Sequence, residues 1–571
     1  MIGRFVIPAI RFVCPAIALA VGFASSFAAP PTATSLFPSG GARGSTVAVT
    51  VNGSFDNWPV SVWSSSAGLT FAPEKEKGKL RVTIAKEAPK GVAWLRFHDE
   101  SGASALRPFI VGDLPETIEV EPNGEVRSAQ PISLPAVVNG TLSKSGDVDC
   151  FQVKLNKGQT LVASVTAHES LRSPIDTVMQ ILSADGSVRE QNNDARGLDS
   201  EMAFTAPTSG VYIVRLFAFP AAPDSSIHYY GSAAGIYRLT LTTDEFIDFA
   251  TPLSMESGRE AKVKLTGWNL KQKTVSLAAN ETTIGQAHAI PIVRVPHACL
   301  NVGTLSDQPL STPFSATGRI ETPKQHATIR VQGQAGKALA IHLDTGNLGF
   351  SLTPVLRILD EAAKPLARVE PAALNGPLDT TFTPKANGPF RIEVQDLLGS
   401  AGPRHVYQLT VTPVVPTLEA KVAQDRYTIT VGTPLDIPIT LVRKNGFAGD
   451  LIPFTEGLPD GVTAEITPVE APKPDPKEAG KPKPNSKETG KPVAAAAKPD
   501  PNLVSLRLKA LKPGVRGVIK IGVERKEKEP FKTWAVSPNG DFEQSVSQIW
   551  LTVVAPTKPA AAPPMPQKPK K

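Results

Sequence analysis

The chain has 571 residues, 41% of them hydrophobic, with 54 Pro, 44 Gly and three Cys. One core rarely grows past about 250–300 residues, so several domains are expected, and two cysteines beyond the first twenty residues exclude a disulfide-built scaffold. The net charge of +7 does not make a nucleic-acid binder: Arg4 and Arg11 carry +2, Pro472–Asp500 carries +3, and the stretch from Thr557 carries +4, leaving the remainder near −2 with no concentrated basic face.

The first 28 residues read as a signal peptide. Arg4 and Arg11 supply positive charge, Phe12 to Phe23 is mainly apolar, and Ser26-Phe27-Ala28 offers a small-x-small cleavage site. Cys14 falls within it. The apolar stretch is short for a membrane span, and no later segment is long enough. A secreted, periplasmic or cell-surface protein is expected.

Beyond this point, short runs of Val, Ile, Leu and Thr lie between Gly, Pro, Asp and Asn turns, which is the pattern of all-β sandwiches. Residues 30–113 form the first such module. Gly44-Ser-Thr-Val-Ala-Val-Thr-Val-Asn-Gly53 alternates apolar and polar positions, and Val60–Trp63 and Val92–Phe97 are further strands. Residues 114–245 form a larger module, closing with Gly210–Leu216 and Tyr237–Leu241. Cys150 precedes Phe151 and is expected to face a core.

The next two modules repeat the first two. Gly44 and Gly53 match Gly258 and Gly267, each 214 residues on, which makes 246–300 a second small sandwich. Gly140, Gly158, Phe204 and Gly210 match Gly318, Gly336, Phe382 and Gly388, each 178 residues on, which makes 301–414 a second large one. Tyr212, Tyr237 and Tyr407 read as core residues. A fifth sandwich spans 415–556. A Lys/Pro-rich stretch at 472–500, with Lys477-Glu-Ala-Gly-Lys-Pro echoed by Lys487-Glu-Thr-Gly-Lys-Pro, interrupts it. That composition cannot bury a core, so a disordered loop is expected there and a disordered tail over 557–571.

The second module resembles the bacterial pre-peptidase C-terminal (PPC) domain. Glu119-Val-Glu-Pro-Asn123 is similar to its opening E-x-E-P-N. The run from Gly140 through Asp147-Val-Asp149-Cys-Phe151 is similar to its D-x-D turn and strand. Asn193-Asp194 and Phe204-Thr-Ala-Pro-Thr-Ser-Gly-Val-Tyr212 are similar to its later turn and strand. The resemblance implies a jelly-roll β-sandwich of the kind appended to secreted peptidases. The 301–414 module resembles it only in degenerate form, since Asp147 and Asp149 are replaced by Gln325 and Ala327. The small sandwiches resemble Ig-like domains of the IPT/TIG sort.

Calcium takes six to eight oxygen ligands. Glu119, Glu121 and Asn123 alternate, so an extended segment puts them on one side, and Asp147 and Asp149 alternate at the turn. Some collagen-binding relatives of the PPC domain bind calcium through such an opening segment and this turn. The resemblance therefore implies a calcium site at Glu119, Glu121, Asn123 and one of Asp147 or Asp149. Gly124, where those relatives often carry a further acid or Asn, removes one ligand. The plain alternative is a solvated strand start and an Asx turn. His288, His297 and Cys299 have irregular spacing and no fourth partner, so zinc is not expected.

No H-E-x-x-H or G-x-S-x-G motif is present. Tyr229-Tyr230 could stack on a sugar or cover their own sheet edge. The sequence thus predicts an exported, non-catalytic binding or spacer protein, in contact with an extracellular polymer or protein surface and stiffened by calcium. The alternative is a substrate-holding partner of a secreted peptidase or other hydrolase.

Overall fold

The computed structural model describes residues 28–223, 225, 228–285, 287, 290–467, 500–525, 530–540 and 542–556. Residues 1–27 of the expected signal peptide, His288, nearly all of the Lys/Pro-rich stretch and the residues from 557 lie outside them. The chain is all-β, built as tandem sandwiches of Ig-like and jelly-roll type.

The first sandwich pairs two four-stranded sheets. One runs Ser35–Phe37, Thr46–Asn52, Lys79–Ile84, Leu69–Pro73, and the other Gly40–Ala42, Arg107–Gly112, Gly91–His98, Ser61–Ser64. Alternation decides what is buried. Val49, Val51, Leu80, Val82 and Ile84 face Leu95, Phe97, Phe109 and Val111 across the core.

The second sandwich has two five-stranded sheets. One runs Gln130–Pro131, Asp149–Leu155, Gly210–Pro220, Ile175–Ser183, Val188–Asn192. The other runs Glu201–Thr205, Thr160–Thr166, Ile236–Thr242, Ala136–Thr141, Glu116–Ile118. Phe151, Val153 and Leu155 point into the shared core with Tyr212 and Tyr237. Cys150, one step out of phase, points the other way. It is still fully buried, because Val126 and Ala129 fold over it against Leu182 and Ile213. It faces a small apolar core of its own beneath the covering segment, as the sequence led us to expect.

The third unit is smaller, with a three-stranded sheet of Phe246–Thr251, Ala261–Trp268 and Thr274–Leu277. Ala298–Asn301, which the sequence reading puts at the end of this unit, runs parallel to Phe314–Arg319 and opens the fourth. It occupies the place that Glu116–Ile118 takes beside Ala136–Thr141. In the fifth unit the residues on either side of the Lys/Pro-rich stretch form neighbouring antiparallel strands, Val462–Thr467 and Leu503–Ala510. One core then joins them to Ile519, Ile521, Ile549 and Leu551.

The duplication extends to the junction inside each pair. In the first, Arg238 bonds Glu116 and Asn139, and a Cβ at Gly40 would stand 2.4 Å from its guanidinium. In the second, the corresponding positions hold Gln408, Thr317 and Ser254. Thr317 donates to Gln408, whose amide donates to Ser254. The geometry is retained while an ionic contact becomes a neutral one.

Candidate metal centre

The acidic residues of the second module gather where the segment after Glu116–Ile118 meets the start of Asp149–Leu155. Asp149 shares the inward phase of Phe151 and Val153, so the strand carries its carboxylate to the rim of the core, where it is fully buried. Tyr237 enters from the opposite sheet. Its hydroxyl lies 2.6 Å from Asp149 Oδ2 and 2.9 Å from Glu119 Oε2. One phenolic proton cannot serve two carboxylates, so such a pair needs a shared proton or a cation. Burial, and after it the Glu119 charge, raises the Asp149 carboxyl far above the usual range, and burial raises Glu119 too.

Glu121, Asp147 and Asp149 each present a carboxylate oxygen within 4.8 Å of the others. Asp147 Oδ2 accepts from the Ser143 amide at 2.6 Å and its hydroxyl at 2.9 Å, which ties the turn. Asp147 Oδ1 remains available. Asn123 lies alongside, its carbonyl accepting from the Cys150 amide. It is fully buried, yet neither Asn123 Oδ1 nor Nδ2 has a hydrogen-bond partner, and neither does Asp149 Oδ1. Buried polar atoms are almost always paired, so the two orphaned oxygens, Asn123 Oδ1 and Asp149 Oδ1, call for a partner. Among the described residues, no Lys, Arg or His forms an ion pair with these acids.

The structure therefore separates the five expected ligands. Glu121, Asp147 and Asp149 converge with carboxylate oxygens, and Asn123 lies beside them through its main-chain carbonyl, its buried side-chain oxygen unpaired. Glu119 lies outside the three-carboxylate cluster: its Oε1 accepts from the Thr141 amide, and its Oε2 shares the Tyr237 hydroxyl with Asp149. The chain bends after Glu119, so the expected one-sided row is broken, and Glu121 ends exposed while Asn123 is buried. Tyr237 is the participant the sequence reading missed. It sits in an alternating strand among core positions, and its partners lie 88 and 118 residues away.

The second copy keeps the shape without the charge. Gln325 Oε1 accepts from the amides of Glu321 and Thr322, tying the turn as Asp147 does. Ala327 replaces Asp149, and the buried Tyr407 hydroxyl has no partner. Near the first copy's turn, Tyr229 is 44% exposed and packs on Phe217 at 4.8 Å and Phe219 at 5.7 Å. Its carbonyl accepts from Ser145 and Gly146, so the ring cluster is fastened to the turn that carries Asp147. Tyr230 turns in against the core.

No family model matches the chain. A stretch of 145 residues is 29% identical to a protein of Deinococcus radiodurans named as a probable subtilase-type serine protease, covering 24% of this chain and 18% of that one. The chain thus spans less than a fifth of that relative. Among solved structures, the four N-terminal Ig domains of Dscam1 isoform 1.9 align over 92% of this chain and 97% of theirs at 11% identity and a TM-score of 0.17. Surface-layer protein SbsC, domains 1–6, aligns over 92% and 55% at 10% identity and a TM-score of 0.14. Among the described residues, no helix is long and apolar enough to cross a membrane.

Proposed function

We propose that this is an exported, non-catalytic binding protein of the cell envelope or extracellular space, whose second module is PPC-like and held rigid by calcium. The observation that carries the reading is the contrast between the copies. Asn123 and Asp149 keep buried, unpaired oxygens in the first, where the second has lost its acids. Glu121, Asn123 Oδ1, Asp147 Oδ1 and Asp149 Oδ1 would be the protein ligands, with backbone carbonyls or water completing the six to eight oxygens calcium takes. The ion would offset two of the three charges of the clustered carboxylates and fix the turn to which the Tyr229 cluster is fastened. That cluster is the surface best suited to a polymer or protein, since aromatic faces offer area at low entropic cost.

Thermal unfolding of the full chain tests this. Millimolar calcium should raise the melting temperature, and Glu121→Ala should abolish the shift. No shift in the wild type removes the ion from the proposal. A second reading, an accessory partner of a secreted hydrolase, is favoured by the 145-residue likeness to a subtilase-type protease. Pull-down from culture separates the two. Retention on wall polymer supports the first, and co-purification of a peptidase supports the second.

A further inference from the structure

Strand Gly91–His98 presents two faces. Ala93, Leu95 and Phe97 fill the first core, so Trp94, Arg96 and His98 must point away from it. In the structure that face is covered by the fifth module. Arg96 is 1% exposed. Its guanidinium donates to Ser104 O within its own module at 2.8 Å, and to Asp425 Oδ2, 329 residues on, at 2.7 Å. Asp425 is held in turn: its carbonyl accepts from the Trp550 amide and its other carboxylate oxygen meets Arg426. Around this pair, His98 packs on Trp550 at 4.4 Å and accepts from Arg516, and Trp94 meets Phe542 edge-on at 4.8 Å.

We infer that the first and last modules form a clasp in which Asp425 completes the first module, so that the N-terminal sandwich reaches full stability only with the C-terminal one folded against it. The warrant is the cost asymmetry of buried charge. An intact, well-bonded pair is close to neutral, whereas one partner removed strands the other without water. Arg96 without Asp425 is such a stranded charge, since Ser104 O satisfies one nitrogen only. The aromatic contacts supply the apolar part of the interface and keep water from replacing the carboxylate.

Hydrogen exchange of the full chain, read by mass spectrometry, tests the clasp. In Asp425→Ala, strands Gly91–His98 and Arg107–Gly112 should exchange about a hundredfold faster or more, the least that a stranded buried charge gives. Thr160–Thr166 of the second module should stay unchanged. Unchanged exchange in the first module overturns the inference, as does equal acceleration in the second. If Asp425→Ala does not fold, the double variant Arg96→Met/Asp425→Ala decides. Removing charge and partner together should restore folding with near wild-type exchange. A double variant as damaged as the single one overturns the proposal.

Discussion

Gly140 and Tyr237 are cross-strand partners, and the tyrosine ring lies where a side chain at 140 would stand: a Cβ there would come within 2.2 Å of the ring. Gly318 and Tyr407 repeat the arrangement at the same distance. The glycine is kept so that the ring can lie flat over the backbone. What the hydroxyl meets beyond it differs, and that difference is measurable. Tyr407→Phe removes a buried hydroxyl with no partner and should leave stability unchanged or raise it by up to ~1–2 kcal/mol. Tyr237→Phe removes a donor between two carboxylates and should cost ~1.5–3 kcal/mol. Urea unfolding of both variants checks this, and equal losses would contradict the assignment.

Asp149→Asn should act with opposite signs in two conditions. Without added metal it relieves a buried carboxylate crowded by Glu119, so the melting temperature should rise. With millimolar calcium the wild type should gain stability and the variant should not. Calorimetry of both proteins with and without calcium reads the crossover. A variant that keeps a wild-type calcium response would show that Asp149 is not a ligand.

The repeat and the strands were legible in the sequence because Gly and aromatic positions mark turns and strand phase, and alternation marks faces. The acidic cluster was legible in part. Asp147 and Asp149 stand out as D-x-D, but that Glu119 is spoken for depends on Tyr237, whose role is invisible in a strand that reads as core. The covered face of Gly91–His98 was not legible at all. A Trp-x-Arg-x-His row fits a solvent face, and only the distant Asp425 and Trp550 make it an interface.

His98 should make the clasp sensitive to acid. Burial, and then the neighbouring Arg516, hold its pKa down to about 4, with Asp99 opposing and Arg96 reinforcing the shift. The unfolded chain takes up a proton near the ordinary value of about 6.5. Below that pH the unfolded state binds a proton that the folded state refuses. Stability should therefore fall as pH drops from about 6.5 towards 4, and this contribution should level off below. His98→Gln, compared with wild type at pH 7 and pH 4.5 in urea, should show a smaller loss over that interval. Identical losses would remove His98 as the cause.

Asp248 stands between two arginines from flanking modules. Arg196 of the second reaches its Oδ1 at 2.8 Å while also binding Glu201, and Arg404 of the fourth bonds the same oxygen and lies over Phe350. With its side chain 5% exposed, Asp248→Ala leaves two cations facing one another and should cost ~3–5 kcal/mol. Asp248→Asn should cost less. Denaturant unfolding ranks them, and an alanine variant as stable as wild type would show that the junction does not rely on this carboxylate.

A tether's reach grows with each module added only while its ends are free to separate. Here the strand bearing Arg96 and the turn bearing Asp425 touch, so the span from first to last module is one interface wide, whatever the number of sandwiches between them. Pulling on the two ends would load that ion pair and its aromatic surround, in series with the sheets of the first and last modules, before the modules between them felt tension. The intervening modules, including the acidic pocket of the second, would stay shielded from force until the clasp gave way.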